Sequence, residues 1–164
     1  GTIVFASAIN MWVDPYVSDV YLYESTEPAP YVYNGHFDGE TWFGWRTVLS
    51  GASTATLVTR SGGGYAAQLT TGSPAGFEQA VNLPAGVPTL AFDFDFLTSV
   101  YETLTVTFDG AVVAQLQHGD DTEPGFTHHE IALPALAPPG LSGATLSFSL
   151  DGPPGQPSRS MASA

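Results

Sequence analysis

The sequence predicts an all-β protein, an antiparallel jelly-roll β-sandwich with an N-terminal strand segment open to exchange between subunits. Three observations predict it. Apolar residues recur at every second position over several long stretches, the pattern of strands with one face buried. The 18 Gly and 13 Pro are scattered between those stretches, as short strands joined by turns require. No stretch carries a convincing apolar stripe at helical spacing. With 164 residues the chain is sized for one ordinary domain. Such a domain buries roughly 70% of its unfolded surface and needs no covalent staples.

Taken in order, the first elements lie in residues 1–31. "TIVFASA", residues 2–8, and "VSDVYLYES", residues 17–25, both read as strands. "STEPAPY", residues 25–31, follows as a stiff linker, because Pro28 and Pro30 favour extended chain and donate no ladder hydrogen bond. The body then runs over 32–164. Its weaker strands are "TATLVTR", "YAAQLT", "FEQAVNL" and "FTHHEIAL", separated by turn clusters such as "RSGGGY", "TTGSPAG" and "NLPAGVP". The strong ones set the core. "PTLAFDFDFL" places Leu90, Phe92, Phe94 and Phe96 on one face, with Ala91, Asp93 and Asp95 on the other. "TLTVTFD" turns Leu104, Val106 and Phe108 inward, and Asp109-Gly110 then signals a two-residue hairpin into "AVVAQLQ". "ATLSFSLD" turns Leu146, Phe148 and Leu150 inward. Nine or ten strands result.

Charge excludes whole classes of partner. Sixteen acidic residues face three arginines (Arg46, Arg60 and Arg159), with no lysine, for a net charge of −13. Nucleic acid is excluded as a partner, since phosphates need cations, and so are anionic membrane surfaces. No apolar run reaches the ~18 residues of a membrane span. The acidity suits solubility in a salty exterior or bound divalent cations. The chain has no cysteine, which removes disulfides and thiolate metal sites. It starts without Met or a charged-then-apolar leader, which reads as a processed chain or part of a longer one.

Two polar constellations raise chemistry. Asp93 and Asp95 share a strand face about 6–7 Å apart, and paired carboxylates are what glycoside hydrolysis uses. No third acidic partner, nucleophile elbow or phosphate loop accompanies them, so the chain reads as non-enzymatic. "HGDDTEPGFTHHE" gathers His118, Asp120, Asp121, His128, His129 and Glu130, at a spacing unlike the strong zinc patterns. It reads as a polar loop entering an edge strand.

"NGHFDGETWFGW", residues 34–45, carries a resemblance. Asn34, Gly35, Phe37, Asp38, Gly44 and Trp45 match the opening of galactose-binding-like jelly rolls, the sandwiches of carbohydrate-binding modules and bacterial surface proteins. "GFEQAVNLPAGVPTLAFDFDF" and "LSFSLDG" resemble later strands of that family, so the likeness spans most of residues 32–152. It implies an extracellular or cell-surface location, bacterial in origin. It also implies a structural calcium ion, with Asp38 or Glu40, Asp19 and Asp151 as its carboxylates, and a core position for Trp45. Aromatic faces suit sugar stacking. At period two, Phe43 and Trp45 face together and Trp42 opposite, which makes Trp42 the carbohydrate-contact candidate.

The family's last strand is missing after Asp151, whereas Ser18, Asp19 and Val20 near the front look like it. Three explanations stand: the tail of a preceding module, a permuted strand folded onto its own body, or a strand donated to a neighbour. The function expected is a non-catalytic structural subunit whose partners are copies of itself. It assembles into a filament or surface layer by donor-strand exchange, with Ile3, Val4, Phe5, Val17, Val20 and Leu22 as the donor residues. The alternative is a carbohydrate-binding or adhesive module of a larger secreted protein, with polysaccharide as partner.

Overall fold

The structure, a computed structural model, describes residues 2–5, 10–13, 31–60, 64–70, 74–97, 102–117, 119–120 and 125–151. Asp19, Val17, Val20 and Leu22 lie outside these residues, as does the whole stretch 17–25. The described chain is an antiparallel β-sandwich. Its strands are β1 (Thr2–Phe5), β2 (Asn10–Val13), β3 (Arg46–Leu49), β4 (Thr54–Thr59), β5 (Tyr65–Thr70), β6 (Ala75–Leu83), β7 (Pro88–Phe96), β8 (Thr103–Phe108), β9 (Ala111–Gln117), β10 (Thr127–Ala132) and β11 (Leu141–Asp151). Among the described residues the one helical element is a short 3-10 turn, Asp38–Glu40.

One sheet runs β10-β7-β1-β5-β4, with β2 also pairing β7; the other runs β3-β6-β11-β8-β9. From β3 onward the chain stays in one sheet only at the β4–β5 and β8–β9 hairpins, and every other connection crosses to the facing sheet. That winding is a jelly roll. Asp109 and Gly110 both hold positive φ, 52° and 81°, which two-residue hairpin turns demand.

The core follows the alternation. Leu90, Phe92, Phe94, Phe96, Leu104, Val106, Phe108, Leu146, Phe148 and Leu150 are all buried. Phe148 joins the sheets, stacking on Phe77 of its own sheet at 5.2 Å and meeting Phe92 of the opposite sheet edge-on at 5.2 Å. Gly76 has no room for a side chain: a Cβ there would stand 2.5 Å from the Phe148 carbonyl oxygen.

Two differences from the alternation are instructive. Trp42 to Trp45 is a turn, closed by the Trp45 N–H donating to the Trp42 carbonyl at 2.7 Å, and the strand begins only at Arg46. Gly44 takes φ +87°, so period two does not carry across it. Trp45 is buried while Phe43 is exposed, the reverse of a shared face. At the front, "NMWV" forms β2, a strand the period-two pattern does not announce.

Candidate functional site

The sheet containing β7 and β5 is closed by the N-terminal segment. β1 lies between them, antiparallel to both: Ile3 is opposite Leu69 and Phe96, Val4 opposite Gln68 and Asp95, and Phe5 opposite Ala67 and Phe94. An interior strand is paired on both edges, so β1 fills a slot that would otherwise divide the sheet into β10-β7 and β5-β4. β2 extends along β7, from Asn10 opposite Ala91 to Val13 opposite Pro88. The strand in the slot is therefore "TIVF", which places Ile3, Val4 and Phe5 of the expected donor residues against their own chain.

The resembling motif builds a second feature, on the side of the other sheet. Asn34 sits at φ 51°, a left-handed position that Asn tolerates better than most residues. Its side chain closes the loop in three places: Nδ2 donates to the Thr41 carbonyl at 3.0 Å and to the Phe43 carbonyl at 2.9 Å, and Oδ1 accepts from the Asp38 N–H at 2.7 Å. Its own carbonyl accepts from the Trp45 indole N–H at 3.0 Å. Phe37 also takes a positive φ, 54°, unusual for a bulky residue. It is fully buried, with its ring 5.6 Å from Trp42 and 5.9 Å from Phe77. These motif residues thus serve folding. Trp42 is half-buried and packs on Phe37 and Phe77, with centroids 5.6 Å from each, as part of the core wall.

The exposed aromatic faces are elsewhere. Tyr33 and Phe43 are 61% and 68% exposed, with ring centroids 5.4 Å apart and planes at 62°. Sequence reasoning missed this pair. The available signal was Gly44, which interrupts the alternation and turns Phe43 outward.

Of the carboxylates expected to hold calcium, Asp38 and Glu40 lie exposed in the 3-10 turn, and Asp151 is half-buried at the end of β11, opposite Thr103. Among the described residues no group of three or more His, Cys, Asp or Glu side chains could hold a metal ion. Asp19, the remaining carboxylate of that expected set, lies outside the described residues.

Asp93 has a different partner from the one its spacing suggests. β10 pairs with β7 so that His128 stands opposite Asp93, and His128 Nδ1 lies 2.6 Å from Asp93 Oδ1. His128 Nε2 lies 3.2 Å from Glu130 Oε1. Both ring nitrogens face carboxylate oxygens, so only the doubly protonated imidazolium donates to both. The hydrogen bond to Asp93 raises the His128 pKa above its ordinary value; the Glu130 bond adds to this and partial burial opposes it. His129, one residue on, points the other way and packs on Phe92 at 5.5 Å. The His128–Asp93 contact links edge strand β10 to β7 through their side chains.

No family model matches the chain, and neither the curated proteins nor the solved structures contain a significant match.

Proposed function

We propose that this chain is a non-catalytic, extracellular structural module whose N-terminal strand is an exchangeable part of the sandwich, passed between copies as they assemble. The observation that carries the reading is the place of β1. It is short, and it is paired on both sides in the interior of a sheet. A body without it would present two unpaired strand edges, β5 and β7, and proteins keep such edges covered.

The connection between Val13 and Tyr31 spans the 17 residues 14–30. Fully extended, that reaches about 55–60 Å, enough to return to its own body or to cross to a neighbour. Concentration decides between the two. A tethered strand has an effective concentration of about millimolar, so the in-chain pairing is favoured in dilute solution and exchange is favoured where copies are crowded. Head-to-tail exchange is a heterologous contact and propagates unless it closes into a ring. Self-repulsion at −13 delays such contacts until salt screens it.

The test removes and restores the strand. A chain starting at Tyr31 keeps buried Val32 and the Tyr33 backbone bonds to Gln79. It should unfold at a markedly lower temperature or aggregate, and an added peptide of residues 2–24 should restore the melting temperature. A truncated chain that remains a monomer melting with the full chain contradicts the reading.

A further inference from the structure

We propose that Asn34–Gly35 is a site of spontaneous deamidation, suppressed by the folded loop and irreversible once it occurs, because the product no longer fits the loop. The inference does not depend on strand exchange. Of the three asparagines, Asn10 precedes Met11, Asn82 precedes Leu83 and Asn34 precedes Gly35. Deamidation begins when the backbone nitrogen of the next residue attacks the asparagine side-chain carbon Cγ. Glycine puts no side chain in the way and leaves the backbone free to turn, so Asn34 is the reactive asparagine of the unfolded chain. The Gly35 N–Cγ bond forms, the Cγ–Nδ2 bond breaks, and ammonia leaves with the Gly35 proton. The five-membered imide that results then takes up one water. Opening at Cγ gives aspartate; opening at the main-chain carbonyl gives isoaspartate, with the chain now running through the former side chain.

The folded loop restrains both reacting groups. The Asn34 carbonyl accepts from the Phe37 N–H at 3.1 Å and from the indole N–H of buried Trp45 at 3.0 Å. That carbonyl and the attacking Gly35 nitrogen belong to one rigid peptide plane. Swinging the nitrogen toward Cγ turns the plane and breaks both bonds. Gly35 is itself buried, away from the water or hydroxide that must take its proton. The leaving nitrogen is held as well: Nδ2 donates to the carbonyls of Thr41 at 3.0 Å and Phe43 at 2.9 Å. Reaction therefore requires the loop to open, and its rate follows the open fraction.

The same contacts reject the product. A carboxylate only accepts hydrogen bonds. At position 34 one of its oxygens keeps the Asp38 N–H, which Oδ1 now takes at 2.7 Å. The other replaces Nδ2 and faces two carbonyl oxygens, three acceptors without a proton among them. Isoaspartate also lengthens the backbone by one carbon and shifts the carbonyl that Phe37 and Trp45 bond. Phe37 then loses the turn that seats its ring between Trp42 and Phe77. Each product adds one negative charge to a chain already at −13. A single opening that reacts thus leaves the loop permanently loosened.

Ageing the full chain at mildly alkaline pH, in native buffer and in unfolding urea, tests this. Peptide mass mapping and enzymatic methylation of isoaspartate read the product. In urea it should accumulate at Asn34 ahead of Asn10 and Asn82, faster as pH rises. In native buffer the Asn34 rate should fall at least about tenfold. The deamidated fraction, separated from the aged native sample by anion exchange, should melt below its parent, as should Asn34→Asp made directly. Equal rates in native buffer and urea overturn the proposal, as does the absence of product at Asn34 in urea. So does a deamidated fraction that melts with the parent chain.

Discussion

Gln79 holds the backbone of Tyr33 in both directions, accepting from its N–H at 2.6 Å and donating to its carbonyl at 2.7 Å, from a side chain that is itself buried. This is how the first body loop is fastened to the sheet of β6. Replacing Gln79 by Leu preserves most of the volume and leaves the Tyr33 N–H without its acceptor. The expected loss is about 1–3 kcal/mol, read from urea unfolding midpoints at constant slope. A loss below about 0.5 kcal/mol, the range of surface substitutions, would show that the clamp contributes little.

Asn34 closes the same loop from within. Asn34→Ala removes three side-chain hydrogen bonds and puts a less tolerant residue at φ 51°. About 2–3 kcal/mol of destabilisation is expected. Asn34→Gly keeps the conformational freedom but not the bonds and should lose less. Equal losses in the two variants would mean that the backbone position costs nothing.

The Phe94 ring lies in the core, 5.9 Å from Phe96 and 6.1 Å from Phe92. Phe94→Ala should cost about 3–5 kcal/mol. A near-neutral midpoint would contradict the assignment of that face of β7 to the interior.

His128 makes stability depend on pH. Its folded-state pKa is raised, chiefly by the hydrogen bond to Asp93. A group so shifted contributes stability that is complete below its unfolded value, about 6.5, and is lost as pH rises through the folded value. His128→Gln should flatten the stability profile in that window and leave it unchanged well above it. His128 is exposed, so the effect is small and screened by salt. A slope unaltered by the substitution would place the coupling elsewhere.

Much of the fold was legible because these strands alternate cleanly. Phe92, Phe94 and Phe96 could face only one way once Asp93 and Asp95 faced the other, and Leu146, Phe148 and Leu150 were fixed likewise by the intervening serines. Local pattern failed where the backbone left the extended region. Gly44 reversed the faces of Phe43 and Trp45, and so hid the exposed aromatic pair while drawing attention to Trp42. The Asp93–His128 pair was illegible for a different reason. Asp93 and His128, 35 positions apart, are brought together by the β10–β7 register, which no local spacing encodes. The same holds for β1. Its sequence announces a strand, whereas its place between β5 and β7 depends on partners more than sixty residues away.

The central claim is that β1 is exchangeable, and disulfide trapping tests it most directly. The chain has no cysteine of its own, and Val4 and Gln68 are register partners across β1 and β5. Two variants, Val4→Cys and Gln68→Cys, are unfolded together, refolded under mild oxidation over a range of concentrations, and compared with the doubly substituted chain. The account predicts closure within the doubly substituted chain when dilute. It also predicts a mixed disulfide dimer of the two single variants that grows as protein concentration approaches about millimolar and exceeds either self-pair. If the doubly substituted chain closes internally at every concentration and the mixed dimer never exceeds the self-pairs, the strand is a fixed part of its own sandwich and the exchange account is wrong.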